Sequence, residues 1–156
     1  MGKGAALRTG IVHIGDADYW LFLDADLVNL NEIHMEALLD PLKNNPDTGM
    51  TVGIFQKGGQ IGVDLAQKYF SILNGQRALS GQFVQILPDL SWAKFGVEIF
   101  LTKLALYHGI KIVHPVLSGL THHTKESKLG YWAGFCYRLQ MYQECLYTLF
   151  NWEKYL

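Results

Sequence analysis

Charge, cysteine and unbroken apolar sequence are all scarce in this 156-residue chain. Asp, Glu, Lys and Arg make up 17% of it and nearly cancel, leaving a formal net charge of −1 and a pI of about 6.6. With no basic stripe to neutralise phosphates, nucleic acid is excluded as a main partner. No apolar run reaches the roughly 18 residues that a membrane-spanning helix needs, and the N-terminus lacks the charged-then-apolar layout of a signal peptide. The only two cysteines are Cys136 and Cys145. Nine positions apart in a segment of helical character, they lie roughly 13 Å from each other, beyond disulfide reach. Reduced thiols in a cytoplasmic protein are therefore expected.

What is present is apolar and aromatic. Hydrophobic residues make up 49% of the chain, with 4 Trp, 8 Tyr and 8 Phe. That composition and length fit one ordered domain over residues 1–156. Residues 3–14 carry a partial helical face, and Gly15 can end it. The continuous apolar run Tyr19–Leu23 has the character of a strand covered on both faces, as in a parallel sheet. Asn31 can cap a helix over 32–42. A second strand is expected at 50–55, a glycine-rich loop at 56–62, a helix at about 63–75 and a third strand at 82–87. A helix over 97–108 is closed by Gly109, a fourth strand at 110–114 is stopped by Pro115, and an aromatic helix runs from about Tyr131 to the C-terminus. Helices alternating with buried strands predict an α/β fold with a mostly parallel sheet flanked by helices. The order opens on a helix where such sheets open on a strand, so the chain is expected to lack its first strand.

Several polar groups then ask for a role. Asp24 and Asp26 follow the first apolar run, at the edge where open α/β sheets bind ligands. On a strand, residues i and i+2 face the same side about 7 Å apart, so both carboxylates would meet one Mg²⁺ or Mn²⁺ and a diphosphate. A solvated turn ahead of the Asn31 cap is the other reading. A calcium loop starting at Asp24 is excluded, because its fifth, sixth and twelfth positions are Val28, Asn29 and Met35. Gly2, Lys3 and Gly4 precede a helix, whose N-terminus favours phosphate, without forming a Walker loop. His122 and His123 are either metal ligands or exposed loop residues. Glu98 is a candidate general base or a first-turn acid favoured by the helix dipole. Arg77 either holds an anionic acceptor group or closes the preceding helix.

Taken together, "GKGAALRTGI", "DYWLFLDADL", "RALSGQF", "FGVEIFLT" and "THHTKESKLG" resemble the family 2 type of nucleotide-sugar glycosyltransferases. The likeness is nearest to members around the polyprenyl-phosphate sugar transferases and the glucosyl-3-phosphoglycerate synthases. It implies an A-type glycosyltransferase fold and transfer of a sugar from a nucleoside-diphosphate donor. It further implies that Asp24 and Asp26 hold a divalent metal (Mg or Mn) and the donor, Asp26 being the firmer metal ligand, with His123, or next to it His122, completing the metal shell. Gly2, Lys3 and Gly4 would lie near the nucleotide, and Ser80, Gly81 and Glu98 on the acceptor side, where Arg77 is a candidate acceptor contact and Glu98 the candidate catalytic base of an inverting reaction. The acceptor would be a small molecule or a lipid phosphate. The family's opening nucleotide-recognition segment has no counterpart here, so an N-terminally truncated member is expected. The alternative is a catalytically impaired binding or oligomerisation module, a homodimer joined through an open sheet edge or the aromatic helix. That helix also leaves peripheral membrane contact open.

Overall fold

The computed structural model describes residues 2–56, 74–122 and 131–156; the side chains of 56, 121–122 and 131–138 lie outside that description. The expected helix at about 63–75 lies outside it up to residue 73, with 74 and 75 non-helical, and most of the glycine-rich loop and His123 also lie outside it.

The chain divides into two compact units, one of residues 16–86 and 105–122, the other of residues 1–15, 87–104 and 123–156. The first is built on a sheet. Strands β1 (Tyr19–Phe22), β3 (Thr48–Val52), β5 (Arg77–Ser80) and β6 (Lys111–Val113) stand in the order β1-β5-β3-β6. Two short ribbons accompany them: β2 (Leu27–Val28) with β8 (Thr121–His122), and β4 (Ile54–Gln56) with β7 (Val116–Ser118). Helix α2 (Glu32–Asn44) covers the sheet, and its Leu38 and Leu42 pack with Ala78, Leu117 and Leu120 in the core.

The α/β class holds, but the sheet is mixed rather than mostly parallel. β3–β6 and β4–β7 are parallel, whereas β1–β5 and β3–β5 are antiparallel. A continuous apolar run reports burial on both faces and carries no information on strand direction. The strand expected at 82–87 is displaced as well. β5 occupies Arg77–Ser80, and Gly81–Gln85 is the short helix α3, capped by Ser80. The expected strand 50–55 is two strands in different sheets, parted at Gly53, against which Leu117 packs.

Polar groups inside this unit are tied to the backbone. Thr51 Oγ1 donates to the Leu38 carbonyl at 2.7 Å and accepts from Ala78 N–H, fastening α2 to the sheet. Asn31 caps α2 by accepting the His34 N–H at 3.3 Å, and His34 Nδ1 accepts the Asn31 N–H in return. The His34 ring proton therefore sits on Nε2, which donates to the Ser118 carbonyl at 2.9 Å.

The second unit is helical. It holds α1 (Lys3–Ile14), a 3₁₀ segment (Ser91–Gly96), the first turns of α4 (Val97–Tyr107) and α5 (Tyr131–Asn151), which ends in a 3₁₀ turn at Trp152–Tyr155. Gly15 stops α1 at φ 80° and donates its N–H to the Ile11 carbonyl, a conformation that glycine adopts at no steric cost. Trp92 stacks on Tyr155 at 3.7 Å between ring centres and meets Phe100 edge-on. On α5, Leu139, Tyr142, Leu146 and Phe150 are exposed at helical spacing. Among the described residues, no helix is long and apolar enough to cross a membrane.

Candidate donor and metal site

Antiparallel pairing of β1 with β5 sets what surrounds the two aspartates. Phe22 at the end of β1 lies opposite Arg77 at the start of β5. The next residue but one is Asp24, so it leaves the sheet beside the chain that enters β5. Asp24 and Asp26 do not extend the strand. They occupy the turn between β1 and β2, so the expected same-face strand geometry does not apply to them. The apolar run ends at Leu23, and the turn carries the chain into Leu27, which pairs with His122. The His122 main chain thus stands opposite the residue that follows Asp26, and the chain then continues to His123.

Asp24 is half-buried, and its Oδ2 accepts a hydrogen bond from Gln76 Nε2 at 2.9 Å. Gln76 itself has no exposed surface, and among the described residues its Oε1 has no partner. The preceding Gly75 presents its bare Cα to the same carboxylate: a Cβ there would come within 2.6 Å of Asp24 Oδ1. One residue further on, Arg77 is 1% exposed. Its Nε donates to the Asn74 carbonyl at 2.7 Å, and its Nη1 lies 3.8 Å from Met50 Sδ. Arg77 is therefore a buried cation within the sheet.

Ser80 and Gly81 lie at the other end of β5, about 10 Å from Arg77 by strand rise. Tyr19 is opposite Ser80 there. Ser80 Oγ accepts the Phe83 N–H at 3.2 Å, and Gly81 donates its N–H to the Asp18 carbonyl at 2.7 Å. A concavity of about 490 Å³ opens at this end, lined among others by Asp16, Asp18, Thr48, Ser80 and Gln82. The structure thus brings Asp24 together with Gly75 and Gln76, next to Arg77, and does not bring Ser80 or Gly81 to that cluster.

Lys3 and Glu98 meet in the helical unit as an ion pair, Nζ to Oε1, with the Glu98 side chain 8% exposed. Gly2 and Gly4 let α1 approach the residues before and within the 3₁₀ segment. A Cβ on Gly2 would lie 2.9 Å from Lys94 Cβ, and one on Gly4 would strike the Leu90 carbonyl. Across this unit, Glu144 accepts from the Phe95 N–H at 3.3 Å and faces Lys94 Nζ at 3.5 Å. Burial raises the Glu144 carboxyl, but the Gln140 and Phe95 hydrogen bonds and the Lys94 charge outweigh it and hold it low. Burial, with the Glu98 and Glu144 charges added, pushes the neighbouring Cys145 thiol up to about 11, so it is an inert thiol at neutral pH.

Gly75 and Gln76 are the residues that sequence reasoning missed. "NGQR" carries no motif, and its partner lies 52 positions away. Only the β1–β5 register joins them.

Neither a protein-family profile nor a curated protein sequence matches the chain. Solved structures do, and they define the class: the chain has the A-type glycosyltransferase fold over the part that it spans. Among the matching structures are those of glucosyl-3-phosphoglycerate synthase from Mycobacterium tuberculosis. Its complex with Mn²⁺, UDP-glucose and phosphoglyceric acid is similar at a TM-score of 0.74 and 22% identity, over 97% of this chain and 55% of that one. Its complex with Mn²⁺, UDP-glucose and glycerol 3-phosphate gives 0.74 at 21% identity with the same coverage. Its complex with Mg²⁺ and UDP gives 0.73 at 21%, over 97% and 54%. The chain therefore spans about half the length of the structures it matches.

Proposed function

We propose that this chain is a glycosyltransferase domain that moves a sugar from a nucleoside-diphosphate donor to a small-molecule or lipid-phosphate acceptor, with the help of a divalent metal. The observation that carries this reading is the Asp24–Asp26 turn at the end of β1, with one carboxylate fastened by a buried amide. It stands on a fold whose solved relatives contain Mn²⁺ with UDP-glucose.

The residues present suit such a metal. Two carboxylates in a turn supply hard oxygen donors, and Mg²⁺ or Mn²⁺ in phosphate sites takes one or two carboxylates plus substrate phosphates. Among the described residues, no group of three or more His, Cys, Asp or Glu side chains gathers. Asp24 and Asp26 would hold the ion, whose chemistry there is to offset the charge that develops on the departing diphosphate.

The chain's own residues set the rest. Gln76 donates to Asp24 Oδ2 and so restrains the orientation of the carboxylate. Arg77, the next residue along and itself buried, adds a positive charge that favours an anion nearby. Glu98 would accept a proton from a hydroxyl acceptor only after its Lys3 contact loosens. A phosphate acceptor arrives ionised and needs no base, which leaves Glu98 a structural partner of Lys3.

The test is calorimetric titration of the chain with UDP, with and without Mn²⁺. Binding is expected to require the metal and to weaken at least about tenfold in Asp26→Ala. If Mn²⁺ changes nothing and Asp26→Ala binds as before, the metal-dependent reading is lost.

A further inference from the structure

We propose that Gly75 and Gln76 form a seat that positions the Asp24 carboxylate, and that they are kept for this purpose rather than for folding. The inference rests on the function proposed above and names the positioning residues of that site.

Two independent observations meet on one carboxylate. Gln76 Nε2 donates to Asp24 Oδ2 at 2.9 Å, and the bare Cα of Gly75 leaves the space that both carboxylate oxygens occupy. The amide orientation is imposed chemically: turning Oε1 towards the carboxylate would set two acceptors against each other. The amide of this fully buried residue is therefore held with its nitrogen on Asp24 and its oxygen without a partner among the described residues. A buried carbonyl with no donor lowers stability, and an apolar side chain of equal size would avoid that loss. Folding alone thus gives no reason for glutamine at this position. The hydrogen bond to Asp24 supplies one.

Gly75 argues in the same direction. What a side chain would strike here is the far end of Asp24, which can swing away, and not backbone. Alanine would then be tolerated by the fold while displacing the carboxylate.

The experiment uses the whole chain, with Mn²⁺ and UDP as probes and thermal melting as the control for folding. Gln76→Leu is expected to weaken Mn²⁺-dependent UDP binding by about 10- to 100-fold, the range for partners that orient a metal ligand. Its melting temperature is expected to be unchanged or higher. Gly75→Ala is expected to weaken binding in the same direction with melting preserved. Because both act through one carboxylate, adding Gln76→Leu to Asp24→Asn should cost no further affinity. The seat is overturned if the wild type binds UDP with Mn²⁺ and loses it in Asp26→Ala, yet Gln76→Leu and Gly75→Ala bind normally. It is also overturned if affinity falls only in step with melting, or if the double variant shows additive losses. A wild type that binds no UDP with Mn²⁺ overturns the proposed function, and the seat with it.

Discussion

Gly75 and Gly81 stand just beyond opposite ends of β5, and both are sites where a Cβ would not fit. The obstacles differ in kind. At Gly75 it is the Asp24 carboxylate, a side-chain terminus; at Gly81 it is the Ala17 carbonyl, with the Asp18 carbonyl 3.2 Å away. Backbone cannot yield without moving the strand it belongs to, whereas a carboxylate can rotate. One end of the sheet is therefore shaped around a functional group, and the other around the chain itself. The same contrast runs through their polar neighbours. Gln76 and Arg77 are fully buried and directed at Asp24 and Asn74, while Ser80 closes α3 by capping it.

The largest expected effect lies at the aspartate end. Arg77→Met removes a charge that is 1% exposed and leaves the Asn74 carbonyl without its donor. Losing a buried hydrogen bond from a charged donor costs about 1.5–3 kcal/mol. Urea unfolding should show a lower midpoint with an unchanged slope. A loss below about 1 kcal/mol would mean that the guanidinium does not hold this end together.

Gly81→Ala comes next, because its Cβ meets backbone. A loss of about 1–3 kcal/mol is expected, as for other overpacked sites. Set beside Gly75→Ala, it turns the comparison into a pair of measurements. Gly81→Ala should move the urea midpoint well, and Gly75→Ala should leave it nearly still while lowering Mn²⁺-dependent UDP affinity. Equal midpoint shifts in the two variants would erase the distinction between the ends.

Much of this frame is legible in the chain. Helical spacing places α1 and α2, Gly15 and Gly109 stop their helices, and Asn31 caps α2 as its side chain requires. Asp24 and Asp26 are legible as a candidate pair because carboxylates resist burial after an apolar run. Other parts are not. "GQFVQIL" is too short a run for periodicity to separate strand from helix, and Ser80 decides for helix by satisfying the Phe83 N–H. β2 and β8 have two residues each, too few for any pattern. The direction of β5 follows from tertiary pairing, and with it the meeting of Asp24 and Gln76.

Ser80→Ala is the smallest and most discriminating change. It removes the oxygen that accepts the Phe83 N–H. Loss of such a cap costs about 1 kcal/mol, and Ser80→Asp should restore most of it because a carboxylate also caps. If Ser80 only closes α3, alanine and aspartate should separate in melting temperature, and the Michaelis constant for an acceptor should follow the folded fraction alone. An acceptor effect beyond that, present in both variants, would show that the far end of β5 is also a working part of the site. The two ends of the sheet would then differ in how they hold a ligand, not in whether they do.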